Sequence, residues 1–86
     1  LITVTPAVRA ERGIRSEGGA LIADLSAAAE RALGLQEGDV IVQINRVPVR
    51  TAEAAAELLR RLAGRGAVRV IFERDGQLVA TWFTIG

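Results

Sequence analysis

The pair Asp75-Gly76 lies between two apolar stretches, and no other feature of the sequence constrains the fold as strongly. Residues 68–73 and residues 78–85 are rich in β-branched and aromatic side chains, which favour extended backbone. Asp and Gly both tolerate the positive φ angles that a two-residue hairpin turn needs. The sequence therefore predicts a β-hairpin at the end of the chain.

The length of this turn also predicts how the two strands of the hairpin align. Because two residues form the turn, we expect Arg74 to pair with Gln77, which places Arg69 opposite Trp82. Two interpretations of Trp82 remain open: its ring is covered by the stem of Arg69, or it marks a docking surface. The other face of the hairpin would carry the pairs Phe72 with Val79 and Val68 with Phe83.

Two helices are predicted from the residues that can cap them. Ser26 can cap a helix over residues 27–33, which ends at Gly34. Thr51 can cap a second helix over residues 52–63. These helices and the hairpin together indicate a mixed α and β domain.

The remaining segments predict short strands and a loop. Residues 1–8 begin as a strand that leaves its sheet near Pro6, because proline cannot donate a ladder hydrogen bond. Residues 9–18 carry five charges and predict a surface loop with room for one helical turn. Further short strands are predicted over residues 20–25, 40–45 and 47–49.

The inventory of residues excludes several classes of chemistry. The 86 residues allow one domain, and the absence of Cys and His removes disulfides, thiol nucleophiles and imidazole groups. Ser16 and Ser26 have no His or Lys that could act as a base. We therefore predict a domain that is not itself an enzyme, with no catalytic residue, metal or cofactor, and a peptidase assay on the chain would test the opposite view.

Charge and hydropathy also exclude two kinds of partner. The 11 basic residues, all Arg, are interspersed with 10 acids for a net charge of +1, and they form no basic stripe for a phosphate backbone. No apolar run reaches the roughly 18 residues that a membrane span requires. We expect no nucleic-acid binding and no direct membrane insertion.

The helix over residues 52–63 is apolar on two adjacent stripes, although a surface helix needs only one. One interpretation is a single wide face that packs on the core. The other is that the second stripe, with its small side chains, forms the wall of a groove for an apolar ligand. The first stripe consists of Ala55, Leu58 and Leu62, and the second of Ala52, Ala56, Leu59 and Ala63.

The order of these segments resembles that of a known family. The most specific stretch is Gly-Leu-Gln-Glu-Gly-Asp-Val-Ile at residues 34–41, and Val-Arg-Val-Ile-Phe-Glu-Arg-Asp-Gly follows at residues 68–76. Together with the helices they resemble a bacterial PDZ domain, most closely those of HtrA-type serine proteases. The resemblance covers residues 1–86 as one domain, and since a strand opens at residue 1, we expect this domain to be part of a longer protein.

The resemblance implies an α+β fold: a small, partly open β-barrel of five to six strands capped by two helices. In bacterial PDZ domains the strand order is permuted, so that residues 78–85 correspond to the first strand of the animal domains. It also implies a non-catalytic module that adds an extended peptide to an open strand edge. The implied peptide-binding residues are Leu1, Ile2, Thr3, Val4, Ala52, Ala55, Ala56 and Leu59.

The same resemblance implies partners and a setting. Many animal PDZ domains carry a His where this sequence has Ala52, so we expect a preference for hydrophobic peptides or protein C-termini. The protease domain of a parent serine protease would be the second partner, in the bacterial cell envelope or periplasm. The alternative setting is an interaction module of a secretion system or of an intramembrane protease.

Two departures from the family pattern affect these expectations. The family holds the ligand carboxylate in an apolar-Gly-apolar loop before the first strand, and Leu1-Ile2-Thr3 has no such glycine. The loop is expected either upstream of residue 1 or not at all. The usual Asn-Gly turn is replaced by Asn45-Arg46, and because Gly favours positive φ there, we expect a different type of turn.

Overall fold

A six-stranded antiparallel sheet organises residues 1–85, which the computed structural model describes. The strand order is β1-β2-β3-β5-β6, with β4 paired to β3, so β1 and β6 are the edges of an open sheet. Three helices accompany it, and the α+β class predicted from the sequence is confirmed. The elements are β1 (Ile2–Thr3), α1 (Pro6–Arg12), β2 (Ala20–Leu21), α2 (Ala27–Leu33), β3 (Val40–Ile44), β4 (Val47–Pro48), α3 (Ala52–Leu62), β5 (Ala67–Arg74) and β6 (Gln77–Thr84).

The hairpin of β5 and β6 has the predicted register. Asp75 and Gly76 have φ angles of 53° and 78°, as a two-residue turn of the mirror-image type requires. Arg69 pairs with Trp82, and the guanidinium carbon lies 5.7 Å from the centroid of the indole ring. The other pairs predicted from the sequence are also present: Arg74 with Gln77, Phe72 with Val79 and Val68 with Phe83.

One face of the sheet and the helices α2 and α3 enclose the main core. The side chains of β5 that alternate toward this face are almost fully buried, as are those of β3 that lie beside them. Leucines of α2 and α3 pack on the same cluster from outside. The buried members are Ala20, Ile22, Leu35, Ile41, Ile44, Val49, Ala55, Val68, Val70, Phe72 and Phe83.

Helix α1 corrects the prediction of a loop over residues 9–18. Thr5 caps it by accepting a hydrogen bond from the Val8 amide at 3.2 Å, and Pro6 occupies the first turn. None of its residues is buried, and Val8 is the half-buried side chain that holds it against a small second cluster of Val4, Leu21 and Val40. The capping residues therefore define this helix more than its apolar pattern does.

The turn between β3 and β4 also differs from the expectation. Asn45 and Arg46 have φ angles of 46° and 69°, so the hairpin turn with two positive φ angles forms despite the missing glycine. Asn45 stabilises this turn, because its backbone N–H donates to the Arg69 carbonyl and its side-chain Oδ1 accepts from the Arg69 backbone N–H at 2.8 Å. These bonds offset the strain of an Arg side chain in the left-handed region, about 1 kcal/mol.

Two buried carboxylates fasten loops to β5. Asp39 accepts from the Gln36 amide at 2.8 Å and from two nitrogens of Arg74 at 2.8 and 2.7 Å. Glu73 accepts from the amides of Arg15 and Ser16 at 2.9 and 2.7 Å and from the Ser16 hydroxyl at 2.5 Å. The loop after α1 and the loop before β3 are thereby fixed to the same strand.

The Glu73 carboxylate has a perturbed pKa. Burial alone would raise the pKa, but the hydrogen bonds from the Ser16 hydroxyl and from the amides of Arg15 and Ser16 outweigh burial. The pKa of Glu73 therefore lies below its ordinary value of 4.5. The carboxylate is ionised in the folded chain at neutral pH and fastens the loop as an anion.

Candidate functional site

Strand β1 leaves one of its edges free. Ile2 pairs with Leu21 and Thr3 with Ala20, and the Val4 amide donates to the Gly19 carbonyl at 2.9 Å. In an antiparallel ladder the residues that bond to the neighbouring strand alternate with residues whose N–H and C=O point away from it. The backbone of Thr3 therefore faces outward, on the side where α3 lies.

Helix α3 lies across from the free edge of β1, and a shallow cavity separates the two. Thr51 caps it by accepting a hydrogen bond from the Ala54 amide at 3.0 Å. Glu53 lies in the first turn and Arg60 in the last, where each charge complements the partial charge of the helix end. Ala55 is 0% exposed and points into the core, which fixes the rotation of α3 about its axis.

The rotation of α3 places its second apolar stripe on the surface, beside β1. Leu1, Ala52, Glu53 and Ala56 line a shallow cavity of about 310 Å³ between the strand and the helix. Small side chains on the helix leave this space open. At this end the stripe therefore lines a surface cavity. The second interpretation of the sequence, a groove wall for an apolar ligand, stays a prediction.

Thr3 bridges β1 and α3 at the first turn of the helix. Its hydroxyl oxygen accepts a hydrogen bond from the Ala52 amide at 2.8 Å and donates one to Glu53 Oε2 at 3.4 Å. The Ala52 amide is one of the donors that a helix leaves unsatisfied at its start. The bridge fixes the spacing of the strand and the helix at this end of the groove.

A larger cavity lies at the other end of the groove, between α2 and the last turns of α3. Its volume is about 530 Å³, and Arg60 is the one charged residue among those that line it. Leu59 belongs to this cavity rather than to the smaller one. The lining residues are Ala29, Ala32, Leu33, Leu35, Ile41, Leu59, Arg60, Ala63, Phe83, Thr84 and Ile85.

The structure separates the residues that the sequence assigned to the site. Leu1, Ala52 and Ala56 come together, and Thr3 joins them through its hydroxyl. Ile2 is exposed beside them. One assignment needs correction, because the side chain of Ala55, 0% exposed, belongs to the core and offers no surface to a ligand. The side chain of Val4, 5% exposed, also lies in the core, so a part for Val4 in strand addition would rest on its backbone alone.

Some residues of the groove were not assigned from the sequence. One of them is Glu53, whose carboxylate accepts from Thr3 and which lines the smaller cavity. Arg60 and Phe83 line the larger cavity, which α2 and β6 help to form. No signal in the sequence links residues that lie this far apart along the chain, apart from the family pattern itself.

Comparison with known families identifies the fold. The family model described as PDZ domain matches residues 25–74, from the cap of α2 to the end of β5. This chain belongs to the PDZ family. The search of curated proteins finds no match to this chain. The match covers the groove helix α3 but not β1, which lies before residue 25.

PDZ domains are in general non-catalytic interaction modules that bind peptide C-termini, and this domain is a module of that kind. Within residues 1–85, no group of His, Cys, Asp and Glu side chains could hold a metal ion. No helix in that range is long and apolar enough to cross a membrane.

Proposed function

We propose that this PDZ domain binds hydrophobic C-terminal or extended peptides in the groove between β1 and α3. The peptide would add to the free edge of β1, where the Thr3 backbone faces outward, and would lay alternate side chains on the apolar stripe of α3. The observation that supports this proposal most directly is the cavity beside β1 that Leu1, Ala52 and Ala56 share.

The direction of the peptide follows from the geometry of the groove. Thr3 contacts the first turn of α3 and Leu1 extends along it to Ala56, so β1 runs toward the start of the helix. A peptide antiparallel to β1 runs the other way, and its last residues approach Leu59. The apolar side chain at its C-terminus would enter the larger cavity, whose lining is almost entirely apolar.

A single substitution in the groove tests this proposal. Ala56→Arg places a long charged side chain in the groove, and Ala28→Arg introduces the same change at an exposed position of α2 outside both cavities. We would titrate each chain with a ten-residue peptide that ends in three apolar residues and follow the amide resonances by NMR.

In the unchanged chain and in Ala28→Arg, we expect the peptide to shift the resonances of β1 and α3. In Ala56→Arg, we expect those shifts to disappear while the spectrum stays that of a folded domain. If Ala56→Arg binds as the unchanged chain does, the groove lies elsewhere.

We further propose that the domain recruits substrates for a larger protein of the bacterial envelope, an HtrA-type serine protease. The resemblance of residues 34–41 to the PDZ domains of those enzymes supports this assignment. A Gly-Asp-Ser-Gly signature upstream in the same gene is the expected finding. Membrane spans in its place would favour the alternative, an interaction module of a secretion system or of an intramembrane protease.

A further inference from the structure

Strand β6 is an edge strand of eight residues, and nothing in its own sequence protects it from pairing with another strand. Monomeric proteins usually guard such an edge with charged side chains, proline or a bulge. Between Gln77 and Thr84 there is no charged residue and no proline. The pairing of β5 with β6 also runs without a register shift from end to end, so no bulge turns the edge away.

The unpaired backbone groups of β6 can be assigned from the hairpin. Arg74 and Gln77 close the turn as a hydrogen-bonded pair. From there, pairs without mutual hydrogen bonds alternate with hydrogen-bonded pairs along the hairpin. Arg69 confirms this alternation, because both its N–H and its C=O bond to Asn45 rather than to Trp82. The outward-facing groups of β6 are therefore those of Leu78, Ala80, Trp82 and Thr84.

On the face of the sheet that points away from the main core, the exposed apolar side chains of β6 are arranged symmetrically along this edge. Leu78 is 66% exposed and Trp82 is 62% exposed, and they lie two residues before and two residues after Ala80 on the same face. Helix α2 packs on the opposite face, where the Thr81 hydroxyl donates to the Leu33 carbonyl. The backbone edge and the exposed side chains of Leu78 and Trp82 are therefore open to a partner.

We propose that the partner at this edge is a second copy of the same chain, paired antiparallel to β6 about a two-fold axis at Ala80. In that register Ala80 meets its own copy, and each Trp82 lies directly beside the Leu78 of the other chain. The outward N–H and C=O of all three residues then form hydrogen bonds. The small side chain of Ala80 lets the two chains approach at the axis.

Self-pairing accounts for the symmetry of the edge, which a foreign strand would not require. A net charge of +1 creates little repulsion between copies. Because β1 lies at the opposite edge of the sheet, the smaller cavity beside β1 stays accessible in the dimer. The area that one strand edge can bury falls below the roughly 1,200 Å² of stable complexes, so the dimer should form only at high protein concentration.

The test uses sedimentation velocity and NMR on the 86-residue chain between about 20 μM and about 1 mM. We expect the sedimenting mass to rise from one copy toward two across this range. The concentration-dependent shifts and the slowed amide exchange should fall on Leu78, Ala80 and Trp82. A mass that stays at one copy at the highest concentration would overturn the proposal.

Two variants and a control locate the interface. Leu78→Lys changes an exposed side chain and Ala80→Lys brings two ammonium groups together at the axis, so each should reduce self-association at least tenfold. Val47→Lys introduces the same charge at a remote position on β4, where the side chain is 44% exposed. This control should leave self-association unchanged. Self-association that survives both β6 variants would refute this interface. Concentration-dependent shifts in the amide resonances of β1, in place of those of β6, would refute it as well.

Discussion

Replacing Glu73 by Gln should expose how much one buried anion contributes to this fold. The substitution keeps an acceptor for Ser16 but places an amide nitrogen where Oε2 now accepts from the Arg15 N–H. Two donors would then face each other at a residue that is 6% exposed. A buried donor without an acceptor costs about 1–3 kcal/mol, and bonds to a neutral oxygen are weaker than those to a carboxylate.

The expected loss is about 2–3 kcal/mol at pH 7, a large part of the roughly 4–13 kcal/mol that a domain of this size can have. Urea unfolding at several pH values measures it, with Glu17→Gln in the same loop as an exposed control. Since folding lowers the pKa of Glu73, its contribution is complete above the ordinary value of 4.5 and is lost as the pH falls through the folded-state pKa. The difference between the two chains should therefore shrink in acid. A difference that is absent at pH 7, or constant down to pH 2, would refute the assignment.

Three further substitutions test the backbone. Gly19→Ala should destabilise the chain by more than about 3 kcal/mol in urea unfolding, because its Cβ would lie 2.6 Å from the Ile41 carbonyl oxygen at a φ of 143°. Gly13→Ala, at a φ of 64° with no atom within 4 Å, should cost about 1 kcal/mol, and equal losses in the two variants would contradict the steric argument. Arg46→Gly should raise the free energy of unfolding by about 0.5–1 kcal/mol, since φ is 69° there, and a lower melting temperature in calorimetry would speak against strain at this turn.

Features with a local cause could be predicted from the sequence. The Asp75-Gly76 turn fixes its own hairpin, and a cap such as Ser26 fixes the start of its helix, because each depends on residues within a few positions. Helix α1 has comparable caps in Thr5 and Gly13, but it lacks a buried face, and its charges therefore favoured a loop. The caps were the better signal in this case.

Features that depend on distant residues could not be predicted. The Glu73 carboxylate binds a loop 58 residues away in the sequence, and Thr3 meets Ala52 across 49 residues. Ala55 was assigned to the groove although its side chain is buried, because periodicity alone does not fix the rotation of a helix. Only the packing of α3 on the sheet decides which alanines reach the surface.

The bridge from Thr3 to Ala52 has a consequence for how the chain folds. The hairpin of β5 and β6 can form early, because its strands adjoin in sequence and the loop to be closed is two residues long. Strand β1 is only two residues long and can join α3, 49 positions further along the chain, only when the residues between them are largely in place. We therefore expect β1 to be the last element to assemble and the first to detach in native-state amide exchange. A peptide in the groove would hold β1 in place and so slow the opening of the domain.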